Sequence, residues 1–266
     1  MTGLIDTHSH LQAQSLAPDL PALIAAARAR GVEDIVICAG SRGDWERCAE
    51  LAHAFGLSYM LGIHPLLVPE AEEDDADRLA ERAAAAMDDP HFIGIGEIGI
   101  DCLVPTALDR QERFFAEQLR IARRLGLPLS VHVRKSASRL IKYLRRLPVP
   151  GGVIHAFNGS DAERAQFLAM GFRLGFGGAA SYEGSLRIRR HLSELPSDRW
   201  VIETDAPDMP SSARRDAGCL RTEPADLAYT LAIAAGLRGI SADEAARQSR
   251  ENAFAAFPRL RLRHVC

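Results

Sequence analysis

Asp6, His8 and His10 stand two residues apart where the first apolar run of the chain (Leu4–Thr7) ends. On an extended strand that spacing projects all three to one face. Two imidazoles at i and i+2 can then chelate a single cation. Nine histidines in 266 residues produce about 0.3 His-x-His pairs by chance, so the pair alone is weak. Other polar residues stop apolar runs in the same way: Glu97 in FIGIGEIGID, His132 in LPLSVHVR, His155 in GGVIH, and Glu203 with Asp205 in WVIETD. Singly, Glu97 or Asp205 reads equally as a helix cap, and His132 or His155 as a satisfied buried imidazole. Together, at one topological position, they read as one site.

Four histidines and two carboxylates (His8, His10, His132, His155, Glu97, Asp205) suit a two-cation centre better than one tetrahedral ion. Magnesium, manganese, zinc and nickel all accept such ligands. Glu97, the acid nearest the middle of the set, is the expected bridge, and a buried carboxylate there demands positive neighbours. A pair of divalent cations activates water for hydrolysis. His64, in LGIHP, is open to three readings: ligand, neighbour of the ligands, or substrate contact. The turn fixed by Pro65 favours the last two. His53, His191 and His264 read as structural. No GxSxG elbow, P-loop or GxGxxG at a first strand–helix turn competes with this site. Gly175-Phe-Gly-Gly178 reads as a tight turn ahead of a phosphate cradle.

Eight apolar, β-rich runs would carry these residues: Leu4–Thr7, Ile35–Ala39, Tyr59–Ile63, Phe92–Gly96, Leu129–Val133, Gly152–His155, Arg173–Phe176 and Trp200–Thr204. Between them lie helical spacings, such as Leu20/Leu23/Ile24/Ala27 and Phe114/Phe115/Leu119/Ala122/Leu125. Capping boxes open two helices at Ser160-x-x-Glu163 and Ser241-x-x-Glu244. This alternation predicts an α/β chain folded as a (β/α)8 TIM-type barrel, somewhat distorted, with an open doubly wound sheet as the alternative. Catalytic groups of such barrels gather at the C-terminal strand ends, where these polar residues fall. No linker or low-complexity tract divides residues 1–266, so one domain is expected.

Composition is that of an ordinary globular chain, with 47% hydrophobic and 25% charged residues. The net charge of −3 supplies no basic field for long nucleic acid, so phosphate recognition must be local. Five cysteines (Cys38, Cys48, Cys102, Cys219, Cys266) contain no CxxC pair. Their odd number fits a reducing compartment. The start MTGLIDTHSHL lacks the features of a secretion signal, and the longest apolar stretch, Leu227–Leu237, is too short to span a bilayer. A cytoplasmic chain with no membrane association and no obligate protein partner is expected.

The segments DTHSHL (6–11), GIHP (62–65), GEIGID (96–101), LPLSVHVR (127–134), IHAFNGS (154–160) and ETDAP (203–207), with RTEPADL (221–227), resemble the TatD family of metal-dependent deoxyribonucleases. The resemblance covers almost the whole chain in order and spacing. Ser9, Gln12, Cys102 and Asn158 depart from the family's usual residues, and none is a ligand position. The resemblance implies a first cation held by His8, His10, Glu97 and Asp205, and a second by Glu97, His132 and His155. It implies hydrolysis of DNA phosphodiesters, in a 3′-to-5′ exonuclease manner. On this reading Asp205 is also the catalytic base, accepting the water's proton, while His64, Arg134 and Glu203 orient the substrate or the ligands. Two rival functions share these residues: hydrolysis of small amides, lactones or phosphoesters, and metal or nucleic-acid binding without catalysis.

Overall fold

The structure, a computed structural model, describes residues 3–104 and 108–264, so Cys266 lies outside the described residues. Each predicted apolar run forms a strand: β1 (Leu4–Ser9), β2 (Val32–Cys38), β3 (Ser58–Leu61), β4 (Phe92–Asp101), β5 (Leu129–Arg134), β6 (Gly152–Ile154), β7 (Phe172–Phe176) and β8 (Trp200–Ile202). They pair side by side in sequence order as one eight-stranded sheet, every pairing parallel. That order removes the doubly wound alternative, in which the sheet reverses direction partway. Helices α1 (Leu20–Ala29), α2 (Trp45–Phe55), α3 (Asp75–Ala85), α4 (Leu108–Leu125), α5 (Ala137–Arg146), α6 (Asp161–Ala169) and α7 (Leu186–Glu194) alternate with the strands. After β8 come α8 (Ser212–Asp216), α9 (Leu227–Arg238) and α10 (Ala242–Ala256).

The core has two layers. The larger packs outward-facing strand residues against the helices, including Leu20, Leu23, Ile24 and Ala27 of α1 and Phe114, Phe115, Leu119 and Ala122 of α4. The smaller gathers Ile5, Val36, Cys38, Met60, Ile93, Val153 and Val201 from six strands with Phe254, Phe257 and Leu260, so the C-terminal segment plugs the barrel floor. Apolar residues fill the bottom, and the polar set is confined to the mouth.

Three local details differ from expectation. β4 continues to Asp101, five residues past the predicted end, because Ile98–Asp101 go on pairing with Val131–Arg134. The Ser160 box forms in full, whereas at Ser241 only the serine caps and Glu244 turns to Arg247 and Gln248. Most informative is the seam between β8 and β1. It is closed beyond β8 by Asp205 N–H to the His8 carbonyl (3.0 Å) and His10 N–H to the Ala206 carbonyl (2.8 Å). The Asp6 carboxylate adds to the closure by accepting from Thr204 N (2.9 Å) and Thr204 Oγ1. Asp6 is therefore a closure residue, spent on the seam and not on the cluster of histidines.

Candidate metal centre

Glu97 sits within β4 where the register with β5 shifts between Ile95 and Ile98. Its own N–H bonds the Ala39 carbonyl at the end of β2 (2.9 Å). A bulge of this kind re-aims a side chain, here into the mouth. The residue just past β3 presses against it: a Cβ on Gly62 would lie 2.6 Å from the Glu97 carbonyl oxygen, so only glycine fits. The carboxylate is almost wholly buried (1% exposed).

Its two oxygens serve two clusters. Oε2 lies 3.1 Å from both His8 Nε2 and His10 Nε2, and each of those nitrogens is 3.6 Å from Asp205 Oδ1. Oε1 lies 3.1 Å from His132 Nδ1, 3.3 Å from His64 Nε2 and 3.7 Å from His155 Nε2. The rings of His8 and His155 stack at 3.9 Å, so the clusters adjoin. Asp205 adopts a left-handed backbone (φ +60°), a conformation that aspartate tolerates better than most residues. Because β8 stops at Ile202, this conformation and not strand alternation directs the Asp205 carboxylate.

Hydrogen bonds at the far ring nitrogens separate the histidines by role. His10 Nδ1–H donates to the Cys38 carbonyl (2.8 Å), His155 Nδ1–H to Glu203 Oε1 (3.2 Å) and His132 Nε2–H to Asp101 Oδ2 (3.2 Å). Each such bond leaves the other nitrogen's lone pair facing the centre, the usual arrangement behind a metal-bound histidine. His8 Nδ1 is backed by Ser130 Oγ at 2.8 Å. His64 is different: its Nδ1 accepts from Leu66 N–H (3.1 Å). The neutral ring then carries its proton on Nε2, 3.3 Å from both His132 Nδ1 and Glu97 Oε1, instead of offering a lone pair there.

Burial is the largest influence throughout, opposed by partners of the other charge. It drives His8 down to about 3, with His155 nearby adding to the effect. For His10 the hydrogen bond and charge of Glu97 outweigh burial and hold it at about 9. His155 is likewise held at about 10 by Asp205, Glu203 and Glu97. Burial lifts Asp205 to about 6. Glu97 stays well below the ordinary range, because the surrounding histidines overcome its burial.

The donor set fits divalent cations. Atoms ~2.1 Å from one ion stand about 3.0–3.4 Å apart at octahedral or tetrahedral angles. Of the separations in the first cluster, 3.1 Å falls within that range and 3.6 Å lies just above it. Among the described residues every ion-pair partner of Glu97 is an imidazole, with no lysine or arginine compensating it.

The mouth thus brings together His8, His10, Glu97, His132, His155, Asp205 and His64. Glu203 stands behind His155 and also accepts from Ala156 N (2.6 Å), while Arg134 is exposed at the end of β5. Asp101 and Ser130 were not singled out from sequence. The same-face spacing of Ser130 with His132 and the late carboxylate of GEIGID were the available clues. In the glycine run, a Cβ on Gly175 would fall 2.1 Å from Glu203 Oε2, so close packing explains that glycine without a phosphate.

A parallel eight-stranded barrel with a histidine–carboxylate centre at its C-terminal mouth defines a metal-dependent hydrolase. The chain matches the family described as TatD related DNase over residues 5–258, and it belongs to that family. It is 34% identical over 215 residues to an uncharacterized metal-dependent hydrolase of Haemophilus influenzae, covering 77% of this chain and 81% of that one. It is 32% identical over 234 residues to the 3′-5′ ssDNA/RNA exonuclease TatD of Cronobacter turicensis, covering 86% and 88%. The crystal structure of YjjV, a TatD homologue from Escherichia coli, superposes with a TM-score of 0.90 at 29% identity, covering 96% and 98%.

Proposed function

We propose that this hydrolase cleaves nucleic-acid phosphodiesters, removing nucleotides from a DNA 3′ end, on a centre holding two divalent cations. The observation that carries the reading is Glu97, whose two oxygens face separate ligand clusters. His8, His10, Glu97 and Asp205 would hold one cation, and Glu97, His132 and His155 the other. When bound, the cations would acidify a water and neutralise charge on the phosphoryl oxygens. Asp205, at the edge of the first cluster, would accept the water's proton. Arg134, exposed beside the centre, would meet a substrate phosphate. Glu203 and Asp101 would hold His155 and His132 in the tautomers that face the cations. The exonuclease activity of the Cronobacter relative supports the choice of bond.

A second reading, hydrolysis of small-molecule amides, lactones or phosphoesters on the same centre, is favoured by one observation: the net charge of −3 supplies no basic field for a long polyanion. A substrate panel separates the two readings: 3′- and 5′-labelled oligonucleotides against lactones, amides and small phosphoesters. Stepwise 3′ shortening that disappears in Asp205→Asn is expected. Turnover of lactones or amides with intact oligonucleotides contradicts the nuclease reading. We further place the chain in the cytoplasm, a reading supported by the free thiols of Cys38, Cys48, Cys102 and Cys219. No helix among the described residues is long and apolar enough to cross a membrane.

A further inference from the structure

Helix α4 buries an apolar face against the barrel, yet two glutamines on it, Gln111 and Gln118, are each only 1% exposed. Seven residues apart, they lie two turns from one another on the same side of the helix. Each makes the same pair of bonds. Gln118 Oε1 accepts from Ile63 N–H (2.7 Å) and its Nε2 donates to the Ile63 carbonyl (3.1 Å). Gln111 Oε1 accepts from Asp101 N–H (2.9 Å) and its Nε2 donates to the Asp101 carbonyl (3.3 Å). A side-chain amide used in this way supplies both bonds that a neighbouring strand would otherwise give.

The two clamped residues are not arbitrary. Ile63 immediately precedes His64, whose Nε2 lies 3.3 Å from both Glu97 Oε1 and His132 Nδ1. Asp101 accepts from His132 Nε2–H and so aims His132 Nδ1 at that same oxygen. Residues of the other cluster are backed from elsewhere: His10 by the Cys38 carbonyl, His8 by Ser130, and Asp205 through its N–H by the His8 carbonyl.

We propose that Gln111 and Gln118 are positioning residues through which α4 sets the half of the centre formed by His64, Asp101, His132 and Glu97 Oε1. The other half is left to β1, β2, Ser130 of β5 and the β8–β1 seam. The proposal rests on the two-cation reading. It makes the centre separable, so that damage to α4's amides weakens one cation and spares the other. A glutamine that merely satisfied buried backbone groups would instead affect both cations through general stability.

The test uses the full chain, with Mn2+ as the probe. Metal-free wild type, Gln111→Met, Gln118→Met and Leu119→Ala are titrated by calorimetry, with electron paramagnetic resonance following spin coupling between the ions. Leu119 is fully buried on the same helix and has no side-chain hydrogen bond to the site. Both methionine variants should keep the first equivalent and weaken the second by ~10–100-fold, losing the coupled signal. Leu119→Ala should lower Tm while retaining both equivalents. Wild-type affinity for both equivalents in the methionine variants overturns the proposal. So does loss of both equivalents in step with Tm, as for a destabilised core. Hydrogen–deuterium exchange on the metal-free proteins adds a readout independent of cation number. Protection should fall at Ile63 in Gln118→Met and at Asp101 in Gln111→Met, and unchanged protection at those amides overturns the clamp. A wild type that takes up a single equivalent contradicts the two-cation reading instead, and exchange alone then decides the clamp.

Discussion

At the residue scale the centre turns on one carboxylate. Glu97 accepts on both oxygens at once, something glutamine cannot do because its amide nitrogen only donates. Glu97→Gln should therefore lower bound metal at both positions and cut kcat/KM by more than ~100-fold, checked by metal analysis and initial rates. Protonation gives a second prediction at this scale. In the metal-free protein His10 is held at about 9 and His155 at about 10, both above their ordinary 6.5. Raised histidines contribute stability below the unfolded value and lose it as pH climbs through the folded one. Asp6, lifted from 3.8 to about 7 chiefly by burial, loses its share earlier, as pH climbs to about 7. Tm in excess chelator should fall steadily from pH 6.5 to pH 9.5. The metal-loaded protein should not follow, since cations bind the deprotonated ligands. A chelated Tm that is flat or rising over that range contradicts the assignment.

Elements place these residues, and what could be read from sequence follows the range of each interaction. Polar residues ending apolar runs pointed to His8, His10, Glu97, His132, His155 and Asp205, because strand period and barrel topology both act locally along the chain. Gln111 and Gln118 were not legible as site residues, since their partners arrive only on folding, from other strands and loops; Ser130 and Asp101 left only same-face spacing and a late carboxylate as traces. The bulge at Glu97 and the full length of β4 were hidden for the same reason, because register belongs to a pair of strands and not to one. His64 depends on a single backbone N–H, that of Leu66, which no spacing rule foretells. The β8–β1 seam invites a direct test. Thr204→Val removes a hydroxyl that donates to the buried Asp6 carboxylate. It should cost about 1–3 kcal/mol in urea unfolding while leaving every ligand in place. Gly175→Ala should drive Glu203 away from His155. Turnover should then fall ~10–100-fold and Tm should drop too, because Ala156 N–H and His155 Nδ1–H lose a buried acceptor, measured by kinetics alongside thermal melts.

For the whole molecule, the barrel divides labour between its ends: apolar residues and the C-terminal segment close the floor, and the ligand set opens at the mouth. With a net charge of −3, affinity for a polyanion has to come from the centre itself and from local cations such as Arg134. Substrate binding should therefore depend on metal more than on surface charge. The central claim, a two-cation hydrolytic centre on Glu97, is tested most directly by stripping the enzyme with chelator and restoring one divalent cation stepwise while following oligonucleotide shortening. Negligible hydrolysis is expected in the stripped enzyme, with recovery that saturates at two equivalents per chain. Equal activity in stripped and loaded enzyme, or full recovery at one equivalent, would contradict it.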